Sequence, residues 1–97
     1  MAGRNKKPAN YGKKYKYWEL LLIRQVRETP KAKEWLAKAL KRTPHAIDFV
    51  YRWFENLENL EPEEELSFPE GAYGNIKTLA TKIIKKYGNI IKGIVVI

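Results

Sequence analysis

Six cations precede the first acid of this chain: Arg4, Lys6, Lys7, Lys13, Lys14 and Lys16. Their chemistry is phosphate neutralisation, because each ammonium or guanidinium on a polyanion displaces a condensed counterion. A flexible basic chain can follow a phosphate backbone or enter a minor groove. A second set falls on one stripe at helical spacing: His45, Asp48 and Arg52, continued by Glu55 and Asn59. A guanidinium such as Arg52 pairs with guanine, while Asp48 can accept only from cytosine. The expected division is that Lys31, Lys33, Lys38, Lys41 and Arg42 join the basic arm on phosphates, with His45, Asp48 and Arg52 facing a groove.

Other chemistries find little support. His45 is the only histidine and has no companion at metal-ligand spacing. The run Glu61-Pro62-Glu63-Glu64-Glu65 lacks the pattern of a calcium loop. No glycine-rich phosphate loop, nucleophile elbow or acid–base pair is visible, so neither an enzyme nor a bound cofactor is expected.

The 97 residues suffice for one modest core, and 44% of them are hydrophobic. Cysteine is absent, which removes disulfides and thiolate metal sites and favours an intracellular setting. Neither a membrane-spanning run nor the apolar core of a secretory signal is expected. The net charge is +8, a balance that favours a polyanionic partner. It is also segregated: residues 1–17 hold six Lys/Arg and no acid, 58–71 six Glu and no base, and 72–97 five Lys and no acid.

The elements that must position these groups follow from periodicity and punctuation. Residues 1–10 read as a mobile basic arm and 11–97 as one helical domain. A first helix begins near Tyr15, with Tyr15, Trp18, Leu22 and Val26 on one face, Leu21 widening it, and Leu20 and Ile23 to the side. Thr29-Pro30 and Thr43-Pro44 then repeat one device: a threonine hydroxyl caps, and a proline opens the next helix. They set helices over about 30–41 and 44–59, joined almost without a loop. The acidic link 61–72 leads to a fourth helix over about 75–87, with Asn75 as its cap and Gly88 as its end. The β-branched tail Asn89–Ile97 reads as a short strand that must pair within the chain or with a second copy.

Arg42, Thr43, Ala46 and Ile47 form R-T-x-x-A-I at the start of the third helix, and Trp18, Trp35 and Trp53 are spaced by 17 and 18 positions. Over residues 15–57 the chain resembles the Myb/SANT class of helix-turn-helix domains. That resemblance implies a three-helix core with spaced aromatics. It places the base-reading positions at Asp48, Phe49 and Arg52, a set that departs from the DNA-reading members. Trp53 is also out of register, since Tyr51 holds the family's third aromatic position.

The expectation is therefore a mainly α protein: a three-helix helix-turn-helix core, a fourth C-terminal helix and a short strand-like tail. Its expected role is DNA binding as a transcriptional regulator. The alternatives are a protein-interaction module, such as an adaptor or inhibitor of a transcription or DNA-packaging machine, and an RNA or single-strand binder. Self-association through the tail is a separate expectation.

Overall fold

The computed structural model describes residues 8–58 and 72–97, without the side chains of 72–74. Arg4, Lys6, Lys7 and the acidic link up to Gly71 lie outside the described residues. Four helices follow one another: α1 (Tyr17–Gln25), α2 (Pro30–Leu40), α3 (Pro44–Glu58) and α4 (Ala72–Tyr87). Helix α3 packs against each of the other three, and α1 also packs on α4. The result is an all-α bundle whose α2–α3 pair is consistent with a generic helix-turn-helix. The more specific Myb/SANT pattern is not carried by the aromatics, as the core shows below.

Both Thr-Pro devices operate. Thr29 Oγ1 accepts from the Ala32 N–H at 3.0 Å, and Thr43 Oγ1 accepts from the Ala46 N–H at 3.1 Å. Each satisfies one of the amides that a helix start leaves without an intrahelical acceptor. Between the two helices the chain turns at Lys41, which takes left-handed geometry at φ 56° and ψ 49°. Most helix-ending turns of this kind use glycine there; this one uses lysine, and three residues, Lys41, Arg42 and Thr43, separate the helices.

The core is aliphatic where tryptophan was expected. Leu20, Ile23, Leu36, Ile47, Val50, Ile76 and Ile83 are fully buried, whereas Trp18 is 55% and Trp35 47% exposed. Helix α1 meets α3 on one flank and α4 on another, and that pair of contacts turns Leu20 and Ile23 inward in place of Trp18. On α3 the face of Ile47, Val50, Tyr51 and Phe54 is buried. Phe49 and Trp53 are partly buried and meet edge to face, with ring centroids 5.9 Å apart.

Two further expectations are corrected. Asn75 does not cap α4, which begins at Ala72; its side-chain oxygen accepts from the Tyr15 N–H instead. The tail forms no strand among the described residues. It runs through turns from Gly88 to Gly93 and makes a single parallel bridge, Val95 to Val26. The reason is the partner. Among the described residues only the short extended link between α1 and Pro30 is offered to the tail, too little for a ladder. Arg27 N–H donates to Val95 O at 2.7 Å, Val95 N–H to Gln25 O at 2.8 Å and Gly93 N–H to Arg24 O at 3.0 Å.

Arg24 locks this end of the bundle. Buried to 3% exposure, its guanidinium donates to Glu58 at the end of α3 and to the Asn89 side chain at 2.9 Å. It also stands 5.0 Å from the Phe54 ring. No described helix is long and apolar enough to cross a membrane.

Candidate functional site

At the opposite end of α1 the basic residues gather around Arg42. It was expected to hold a phosphate, and the structure instead buries it at 5% exposure. A guanidinium has five N–H donors, and all are used internally. The Nε and Nη2 atoms donate to the two Glu19 carboxylate oxygens at 2.8 and 3.1 Å. The Nη1 atom donates to Asn10 O at 2.9 Å and Lys13 O at 3.0 Å, and Nη2 also to Lys14 O at 3.2 Å. The Tyr15 ring lies 3.7 Å away, stacked on the cation. Burial of this charge is tolerated because every donor has an acceptor and the pair is bidentate.

Glu19 and Asn10 complete the hub. The Glu19 carboxylate also accepts from the Lys16 N–H at 3.0 Å, which satisfies the first turn of α1. Asn10 closes the other side: its side-chain amide donates to Leu40 O at 2.9 Å and its N–H to Lys41 O at 3.0 Å. Those are carbonyls that the end of α2 leaves open. The basic segment is thus tied at residues 10–14 to the α2–α3 turn.

This framework displays Lys13, Lys14, Lys16, Lys38, Lys41 and His45 on the surface, all exposed. None of them forms an ion pair with a carboxylate among the described residues. Glu34 lines the cleft that carries Lys38 and Lys41. Lys31 is exposed on α2.

The α3 stripe is different. Lys33 pairs with Glu28 at 2.9 Å and Asp48 at 2.7 Å. Arg52 pairs with Glu28, with Glu55 at 2.8 Å and with Asp48 at 3.7 Å. Three carboxylates thus face two cations, so the stripe carries a net charge of −1 from these groups. Asp48 and Arg52 are brought together with each other, and His45 stands apart from them near the helix start. A phosphate approaching this stripe meets a closed network.

Two titrating groups mark the far end. Burial pushes the Tyr51 hydroxyl up to about 12, against the lowering effect of the Lys33 charge. The hydroxyl donates to Val26 O at 2.9 Å. For Glu58, burial acts to raise its pKa, but hydrogen bonds and charge from Lys92 and Arg24 outweigh it and hold the carboxyl below its ordinary value. Among the described residues no His/Cys/Asp/Glu group could hold a metal ion.

Two features escaped the sequence: the inward turn of Arg42, and a groove formed by Tyr11, Gly12 and Tyr15 against the start of α3. The available signal for the first was Glu19, an acid placed in the first turn of α1 and opposed by an arginine at the α2–α3 junction. Comparison with models of known families, with curated proteins and with solved structures finds no match to this chain.

Proposed function

We propose that this protein binds duplex DNA as a regulator of transcription, through the basic surface rooted on Arg42 and not through the polar stripe of α3. The observation that carries this reading is the partition of charge. Lys13, Lys14, Lys16, Lys38 and Lys41 are exposed without a described carboxylate partner, whereas Lys33 and Arg52 are neutralised within the fold. Arg4, Lys6 and Lys7 precede the tied segment and would extend the surface. The Thr43 cap fits the R-T-x-x-A-I start of a Myb/SANT-like third helix; the exposed Trp18 and Trp35 do not fit its spaced aromatics. The reading accordingly rests on backbone contacts, which position a protein on DNA without specifying sequence.

The test is a salt series on a blunt duplex. Replacing Lys13, Lys14, Lys38 and Lys41 together by glutamine should reduce the slope of log affinity against log salt by about 3 to 4, at about 0.9 per phosphate contact. Arg52→Gln should change it by less than about 1. A slope unmoved by the quadruple substitution overturns the reading.

We also propose self-association through the tail. Ile94 and Val96 are 58% and 64% exposed. Residues 93 and 95 turn their hydrogen-bonding groups toward the end of α1. In extended chain the groups of neighbouring residues point to the opposite edge, which leaves residues 94 and 96 to present an edge of the kind that pairs with another chain.

A further inference from the structure

We propose that the groove between Tyr11–Tyr15 and the start of α3 takes one unpaired nucleobase of a DNA strand lying on the basic surface. The inference rests on the DNA-binding reading and specifies which form of DNA that surface prefers: a duplex with an unpaired end or gap.

The groove has a volume of about 390 Å³ and is walled by Tyr11, Tyr15, Phe49 and Ile76, with Lys13 and His45 also lining it. That size is within the range of sites that take small aromatic ligands. Aromatic walls offer stacking to any base, since every base has a π face, and neighbouring cations hold the phosphate that must accompany it. The charge complementarity is specific to this groove. Among the described residues no carboxylate lines it. The cleft at the other end of the bundle, about 300 Å³, includes Glu28 and Glu55 in its wall, and Glu34 lines the cleft beside α2.

The rim is also formed in advance. Tyr11 N–H donates to Pro8 O at 3.0 Å and Lys13 N–H to Asn10 O at 3.1 Å, in consecutive turns that pass through Gly12 at φ +73°. Arg42 holds the carbonyls of Asn10, Lys13 and Lys14, and Asn75 of α4 holds the Tyr15 amide. A wall fixed in this way loses little freedom when a base enters. The hub that spends the Arg42 donors internally thereby shapes the binding rim, and Arg42 itself lines the groove.

The test compares a blunt duplex with the same duplex carrying a short single-stranded overhang that contains 2-aminopurine, using the full chain. The overhang should tighten binding about 10-fold, the 2-aminopurine emission should be quenched on binding, and Tyr11→Ala should remove the tightening while blunt-duplex affinity stays unchanged. Tyr11 is 51% exposed, so its truncation should leave the bundle folded, and the quenching readout needs no variant at all. Equal affinity for both duplexes with unquenched emission overturns the base site and leaves the surface reading standing. Failure of either duplex to bind in a salt-dependent way overturns the surface reading and this inference with it.

Discussion

Arg42 and Arg24 are both buried arginines, yet they are satisfied differently. Arg42 has an acceptor for each of its five N–H groups, whereas the Nε of Arg24 is buried without a hydrogen-bond partner among the described residues. Lysine cannot reproduce the Arg42 fork, because an ammonium offers three donors from one point. Arg42→Lys should therefore cost about 3 kcal/mol in urea unfolding, the range for breaking a buried pair while leaving its partner charged. A loss below about 1 kcal/mol would mean that Glu19 finds water or another donor. Glu58 supplies a pH prediction. Its folded pKa lies below its unfolded value, so its contribution is present above about pH 4.5 and is lost as pH falls through the folded value. Between pH 6 and 3 the urea midpoint should fall less for Glu58→Gln than for the parent protein; identical falls would place the acid sensitivity elsewhere.

At the scale of elements, the punctuation was legible and the rotation of helices was not. Thr29-Pro30 and Thr43-Pro44 dictate the starts of α2 and α3 through local hydrogen bonds, and local chemistry is what sequence carries. Thr29→Ala and Thr43→Ala should each lower stability by about 1 kcal/mol. Lys41 was not legible, because nothing in Lys41-Arg42 announces a left-handed residue. With φ at 56°, its side chain adds strain that glycine lacks. Lys41→Gly should therefore raise unfolding stability, by up to about 1 kcal/mol after the greater freedom of glycine in the unfolded chain is counted. A loss of stability would show that the Lys41 side chain holds the turn. Periodicity put Leu20 and Ile23 beside the main face of α1 and Trp18 on it; packing against both α3 and α4 reversed that order. The candidate site divided in the same way. Exposed lysines were readable from composition, while the internal capture of Arg42, Asp48 and Arg52 depends on residues 15 to 32 positions away.

For the whole molecule, two ends of one bundle carry different kinds of surface. The Arg42 end shows exposed lysines without a carboxylate partner among the described residues; the Arg24 end shows the apolar edge of the tail. Ile91 and Ile97 pack on the core, while Ile90, Ile94 and Val96 are exposed. The β-branched composition that suggested a strand therefore describes a segment whose inner edge is used at Gly93 and Val95, and whose outer edge, at 94 and 96, makes no backbone hydrogen bond among the described residues. Two copies related by a twofold axis can pair such edges with the same residues on both sides, and the Arg42 ends then point away from each other with their lysines still available. The expected outcome is concentration-dependent dimerisation in sedimentation equilibrium. Substituting Ile94→Lys and Val96→Lys together should abolish it, because an edge carrying lysine resists pairing. Stability of the monomer should change by no more than about 0.5 kcal/mol at these exposed sites. The double variant should keep the salt slope of the parent protein on blunt duplex per monomer, since the two surfaces are separate. A parent protein that sediments as a monomer at all concentrations rules out pairing through the tail, and a double variant that loses DNA binding along with dimerisation shows that the two ends act as one site.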